Sequence, residues 1–252
     1  MLRGVLFYTF GLKEEWLTNF LNEGISFVNS HSLGPKQKEA LVNYLKKIEL
    51  LKHNETTEFF NLIKSIYNAN FLLTWSFIWV NLYINSELFA WWGKTPLGEC
   101  KRNEILEKMI QDAGIHNKSI DSGLNSILST FEYTPIGSDL KIGIVARNGR
   151  ERSVKKEGGF LFDPYAILYA IYKLAERTGK HEFTIEELRK DQYGPQKMLV
   201  INDDYIRKKL LAIEGNELLD IELTDDMFLV KLNSQKSQMD VLRLYLKKEG
   251  IT

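Results

Sequence analysis

The sequence predicts a mainly α-helical protein with small β-hairpins, an α+β fold in which tandem winged helix-turn-helix-like units surround an aromatic-rich helical core. Three observations carry that expectation. Apolar residues recur at helical spacing through most of the chain, two short alternating stretches near its end suit a hairpin, and one run, TWSFIWVNLYINSELFAWW at 74–92, holds Trp75, Trp79, Trp91 and Trp92.

The tryptophan run is interrupted by Asn81, Asn85, Ser86 and Glu87, so it falls short of the roughly 20 apolar residues that a bilayer demands. It predicts a core helix over 70–91. Phe71, Trp75, Ile78, Trp79 and Leu82 share an apolar face, while Thr74, Asn81 and Asn85 fall on a narrow polar stripe. An aromatic ligand pocket is the sharper alternative, but aromatic stripes at this spacing usually build core.

The remaining elements follow in chain order. Helical spacing covers 13–23, 35–51 (with Pro35 at its start) and 56–67. Beyond the tryptophan helix, 103–112 and 117–131 form a helix-turn-helix, with Gly114 at the turn. Met109, Ala113, Ile115, Ile120 and Leu124 close its core, and Asn117, Lys118 and Ser119 open the second helix. KIGIVA at 141–146 is a weak strand, and 141–156 reads as a loop or wing tip. Gly158–Gly159 breaks the pattern and Asp163–Pro164 starts a helix over 164–178, which places a boundary between domains 1–160 and 161–252. Helices at 184–190 and 203–213, capped by Thr184 and Asn202 and closed by Gly215, then precede LLDIEL at 218–223 and MFLVKL at 227–232. Thr224, Asp225 and Asp226 turn between the strands, giving the order helix, helix, wing; a last helix covers 238–248.

Composition excludes more than it assigns. With 252 residues, 44% hydrophobic and 26% charged, the chain has ample material for a globular core. Its 33 basic residues balance 33 acidic ones, so any polyanion must be held by a local patch. Cys100 is the only cysteine, which rules out an intrachain disulfide and suits a reducing compartment. The opening MLRGVLFYTFGLKEEW lacks the features of a signal peptide, so a cytoplasmic location without a membrane segment is expected. His31, His53, His116 and His181 lack zinc-pair spacing, and no phosphate-cradling glycine loop, dinucleotide fingerprint or serine elbow occurs. An SGGxDS-type pyrophosphatase loop is missing too, which argues against sulfate activation by this chain. Asp203–Asp204, Asp225–Asp226 and Glu186–Glu187 read as helix starts or turns. No cofactor is evident, and Mg²⁺ is expected only if the chain nicks DNA.

The positive signal is KIGIVARNGRERSVKK at 141–156. Lys141, Arg147, Arg150, Arg152, Lys155 and Lys156 face one acid there, Glu151, and such a cluster neutralises phosphates. These six are the expected DNA contacts, with Asn117, Lys118 and Ser119 as groove-facing residues. Asp121 counts against that helix, since a carboxylate there repels phosphate.

GVLFYTFGLKEEWL, LGPKQKEALVNYLKKIELL, LLTWSFIWVNLYINSELFAWW, DPYAILYAIYKLAERTGKHEFTIEEL and MFLVKL, in that order from about residue 5 to about 232, resemble a bacterial and archaeal family, the domain of unknown function numbered four thousand and seven. That family is similar to the SspB-type component of DNA phosphorothioation and phage-defence cassettes. The resemblance implies duplex DNA binding beside a PAPS-reductase-like sulfur-transfer protein and other cassette proteins. Its rival implications are a metal-dependent DNA nickase and a protein-interaction scaffold or transcriptional regulator; a homodimer is compatible with each. Phe7 and Trp79 stand where the family often has histidine, and Lys13 where it has arginine, so functions resting on those side chains do not transfer.

Overall fold

The computed structural model describes residues 10–30, 32–114, 118–149, 151–159, 161–224 and 227–251. The chain enters α1 (Glu14–Glu23) and turns at Gly24 into the short α2 (Ile25–Asn29); α3 (Pro35–Lys47) then opens on its proline. A two-stranded ribbon follows, β1 (Leu51–Lys52) against β2 (Glu55–Thr56). His53 and Asn54 turn it with φ of 51° and 64°, the paired positive angles that match a tight hairpin to strand twist. His53 is thus a turn residue.

Thr57 caps α4 (Glu58–Ala69), and Asn70 caps α5 (Phe71–Asn85), each accepting a backbone N–H with its side-chain oxygen. The tryptophan run is not one helix: extended backbone at Ser86 separates α5 from α6 (Glu87–Trp92). The end of α5 is tied down instead of continued. Asn85 Nδ2 donates to the Lys47 carbonyl at 2.9 Å, and Lys47 Nζ returns a bond to the Asn85 carbonyl at 3.1 Å.

The middle of the chain runs β3 (Gly98–Lys101), α7 (Arg102–Ala113), α8 (Lys118–Glu132), α9 (Pro135–Ser138), β4 (Ile144–Asn148) and β5 (Glu151–Lys156). Its antiparallel sheet has the order β3-β5-β4. Gly114 ends α7 in the left-handed conformation that a side chain disfavours. After α10 (Pro164–Thr178), begun by Asp163 and Pro164, come β6 (Glu182–Thr184), α11 (Ile185–Lys190), α12 (Pro195–Met198), α13 (Asp203–Leu211), β7 (Leu219–Thr224) and β8 (Met227–Leu232). This second sheet, β6-β8-β7, repeats the first: a strand ahead of the helices pairs with the last strand of the hairpin. Thr184 and Asn202 cap α11 and α13 as expected, while Asp225 and Asp226 lie outside the described residues. Helix α14 (Gln238–Lys248) closes the fold. Among the described residues no helix is long and apolar enough to cross a membrane.

Helix α5 lies at the centre, buried from Leu73 to Ile84. A helix covered all round must satisfy its polar side chains internally, so the expected polar stripe is a set of joints. Asn81 Nδ2 donates to the Ile48 carbonyl at 3.1 Å, and its Oδ1 accepts from Tyr169 Oη at 2.8 Å. Trp79 Nε1 donates to the Met198 carbonyl and Tyr83 Oη to that of Gln192; Trp92 Nε1 reaches Ile142. One hydrophobic cluster consequently runs from Leu12 to Leu246 across both sheets' units.

Candidate nucleic-acid interface

The basic tract forms a hairpin. Its ladder pairs Ile144 with Lys155, Val145 with Val154, Ala146 with Ser153, Arg147 with Arg152 and Asn148 with Glu151, and Gly149 follows with a φ of 60°. Side chains alternate across a strand, so Arg147, Arg152 and Lys156 share the face of buried Val154, whereas Lys155 points the other way. The expected cluster is therefore divided between two faces.

Each described cation of the tract has a distinct setting. Lys141, at a φ of 57°, brings Nζ to 3.5 Å from Glu157, and Lys155 pairs with the same carboxylate. These contacts, the hydrogen bond from Lys155 first, hold the Glu157 carboxyl below its ordinary value against the opposing effect of desolvation. Lys156 is 4% exposed, and its ammonium donates to the carbonyls of Trp92, Gly93 and Thr95 at 3.0, 3.2 and 3.0 Å. Burial, with Lys108 adding repulsion, brings its pKa down to about 8. Lys156 is thus a buried clamp on the C-terminal end of α6, and its ammonium faces those carbonyls instead of solvent. Arg150 and Asn117 lie outside the described residues; Lys118 and Ser119 are exposed at the start of α8.

Arg147 and Arg152 stand directly opposite each other, an arrangement that destabilises a ladder when charges are alike. Glu132, at the end of α8, relieves it. Arg147 Nε and Nη2 donate to Glu132 Oε1 and Oε2 at 2.5 and 2.8 Å, and Arg152 Nη2 lies 3.7 Å from the same carboxylate. Hydrogen bonding to Glu132 raises the Arg147 pKa further, so its charge is permanent.

The structure adds a residue that the sequence reading missed. Arg102, the first residue of α7, reaches back to α8, where Nη2 donates to Asp121 Oδ1 at 2.5 Å and to Asn125 Oδ1 at 3.3 Å. The Asp121 charge, read as repelling phosphate, is thereby offset. The available signal was the polar spacing of Asp121, Asn125 and Glu132 along α8, which demands partners from elsewhere in the chain. Arg102, Arg147 and Arg152 border a groove of about 910 Å³ with Glu99, Lys101, Asn103, Glu104, Asn148, Glu151 and Ser153.

A divalent metal would need several oxygen ligands converging on one point. Among the described residues no three His, Cys, Asp or Glu side chains gather in that way. Four carboxylates in or beside the groove already have donors: Asp121 and Glu132 hold arginines, Glu99 accepts from Ser153 Oγ, and Glu104 accepts from the Lys101 backbone N–H. This donor set does not fit a Mg²⁺ centre.

The fold and groove define a class: a mostly helical α+β protein with two similar helix-and-hairpin units around a buried aromatic helix, and an arginine-bordered groove on the first. No protein-family profile and no curated protein matches the chain. Among solved structures it shares the fold of an SspB crystal structure, with 14% identity and a TM-score of 0.72, and of a magnesium ion-bound SspB crystal structure, with 12% identity and a TM-score of 0.71. Each alignment covers 96% of this chain and 86% of the other. The chain therefore has an SspB-like fold.

Proposed function

We propose that the chain is the DNA-binding component of a DNA phosphorothioation and phage-defence system and acts with a PAPS-reductase-like sulfur-transfer partner. The SspB-like fold and the family resemblance of the quoted stretches support the setting. We read the two units as winged helices, with α7, α8 and the β4–β5 wing as the DNA-facing set. The observation that carries the reading is the meeting of Arg102, from α7, with Arg147 and Arg152, from the paired strands of the β4–β5 hairpin more than forty residues later, along one groove. Arginine suits that position because its planar fork matches phosphate oxygens. Lys118 and Ser119, exposed at the start of α8, are retained as proposed contacts together with Asn117 and Arg150.

Duplex affinity measured against salt tests the assignment. The combined variant Arg147→Ala/Arg150→Ala/Arg152→Ala is expected to bind more weakly and with a shallower slope, by roughly one unit for each phosphate no longer neutralised. An unchanged slope retires the wing. No nicking step is assigned to any residue, since no three His, Cys, Asp or Glu side chains gather among the described residues; relaxation of supercoiled plasmid with Mg²⁺ would reopen that reading.

A further inference from the structure

Beside the groove, and sharing its three arginines, a smaller bowl of about 440 Å³ is lined by five of the described residues: Arg102, Asn125, Arg147, Gly149 and Arg152. The geometry points to a site for a single phosphate group, a phosphodiester seated among three guanidinium groups, and not to one stretch of a continuous basic track. The nucleic-acid reading supplies the source of that phosphate; the pocket's chemistry stands on its own residues.

Charge selects the ligand. Among the described residues, the bowl's three permanent cations are countered by two carboxylates, Asp121 and Glu132, which leaves it attractive to a monoanion. The rest of the groove lining adds Lys101 but also Glu99, Glu104 and Glu151, so a polyanion lying along it would meet three acids. Hydrogen-bonding capacity agrees with this. A guanidinium carries five N–H donors. Arg147 commits Nε and Nη2 to Glu132, Arg102 commits Nη2 to Asp121 and Asn125, and Arg152 approaches Glu132 no closer than 3.7 Å. The Arg152 fork thus has no hydrogen-bond partner among the described residues, and its two neighbours keep unused donors. The acids set the positions of the arginines, and a phosphate oxygen supplies the acceptor that they lack.

The test uses the full chain and two probes, inorganic phosphate read by thermal shift and a short duplex read by fluorescence anisotropy. Arg102→Ala and Arg152→Ala should each lower duplex affinity about tenfold, the effect expected of one charge-assisted hydrogen bond, and both should abolish stabilisation by phosphate. Arg102→Lys keeps the charge beside Asp121 and guards against misfolding; it should bind nearly as weakly as Arg102→Ala because it lacks the fork. Lys247→Ala, on α14, should match the wild type. If the wild type binds duplex and the Arg102 and Arg152 variants bind it equally well, the pocket is overturned while the nucleic-acid reading survives. If phosphate stabilises the wild type alone but no duplex binds, the pocket stands and the nucleic-acid reading falls. Binding of neither probe overturns both.

Discussion

Lys156→Met separates a structural cation from a DNA-contacting one. Methionine keeps the unbranched stem beside Trp92 and removes only the ammonium, whose three bonds end on carbonyls at the C-terminal side of α6. The Trp92 carbonyl keeps other donors, since the Thr95 N–H and hydroxyl both reach it, at 3.0 and 2.7 Å. The Gly93 and Thr95 carbonyls depend on Lys156. Leaving a buried acceptor without a donor costs about 1–3 kcal/mol, and part of that is offset because the variant no longer buries a charge. Two such acceptors, less that offset, give an expected net destabilisation of about 3 kcal/mol. For a chain of this size it lowers Tm by about 6–12 °C. Thermal unfolding by circular dichroism gives the shift, and duplex titrations at several salt concentrations, run well below Tm, give the slope. An unchanged Tm, or a salt slope reduced by about one unit, would refute the clamp and restore Lys156 to the phosphate contacts.

Further outcomes follow from the same geometry. The folded-state pKa of Lys156, about 8 against an ordinary 10.5, means that between these values the unfolded chain holds a proton that the folded chain has released. Stability should therefore rise with pH across that window, and denaturant titrations of Lys156→Met should show a smaller rise. Asn81→Leu leaves the Ile48 carbonyl and the Tyr169 hydroxyl without their buried partner, and a destabilisation of about 2–4 kcal/mol is expected in urea unfolding. Gly143→Ala would place a methyl group 2.3 Å from the Phe131 ring, forcing aside the residue that precedes Glu132. It should destabilise the chain and weaken duplex binding without touching the groove, and unaltered binding would show that Glu132 is not held through Phe131.

Helices were legible because their signals are local. The Asp163, Thr184 and Asn202 helix starts, the helix-initial prolines and the turn glycine Gly114 lie where the chain changes direction. Strands β3 and β6 were not, since GECK and EFT are too short to show alternation and become strands only by pairing with a hairpin far along the chain. The break at Ser86 was hidden for a similar reason: the bonds between Asn85 and Lys47 that end α5 join residues 38 apart. For the site, the sequence displayed its cations as one tract but could not display the carboxylate of Glu132, which packs against them from another element. It did carry one unused clue. Arg152, Val154 and Lys156 alternate in register, and a lysine two residues from a core valine on the same face of a strand points inward.

The tryptophan run and the arginine pocket are linked by adjacent residues. Phe131 packs its ring 6.0 Å from Trp79 and 5.1 Å from Trp92, and the next residue, Glu132, holds Arg147 and Arg152. On the other side of the hairpin, Lys156 fastens β5 to the carbonyls that follow Trp92, while Trp92 Nε1 binds the Ile142 carbonyl just before β4. Both roots of the β4–β5 hairpin are therefore fixed to α6, and the acid that spaces its arginines is fixed to the same aromatic cluster. Rigid placement matters because a guanidinium held in position before binding gives up less freedom when it meets a phosphate. On the proposed reading, the aromatic cluster would contribute to phosphate recognition without touching the ligand, by holding in place the cations of α7 and the β4–β5 hairpin.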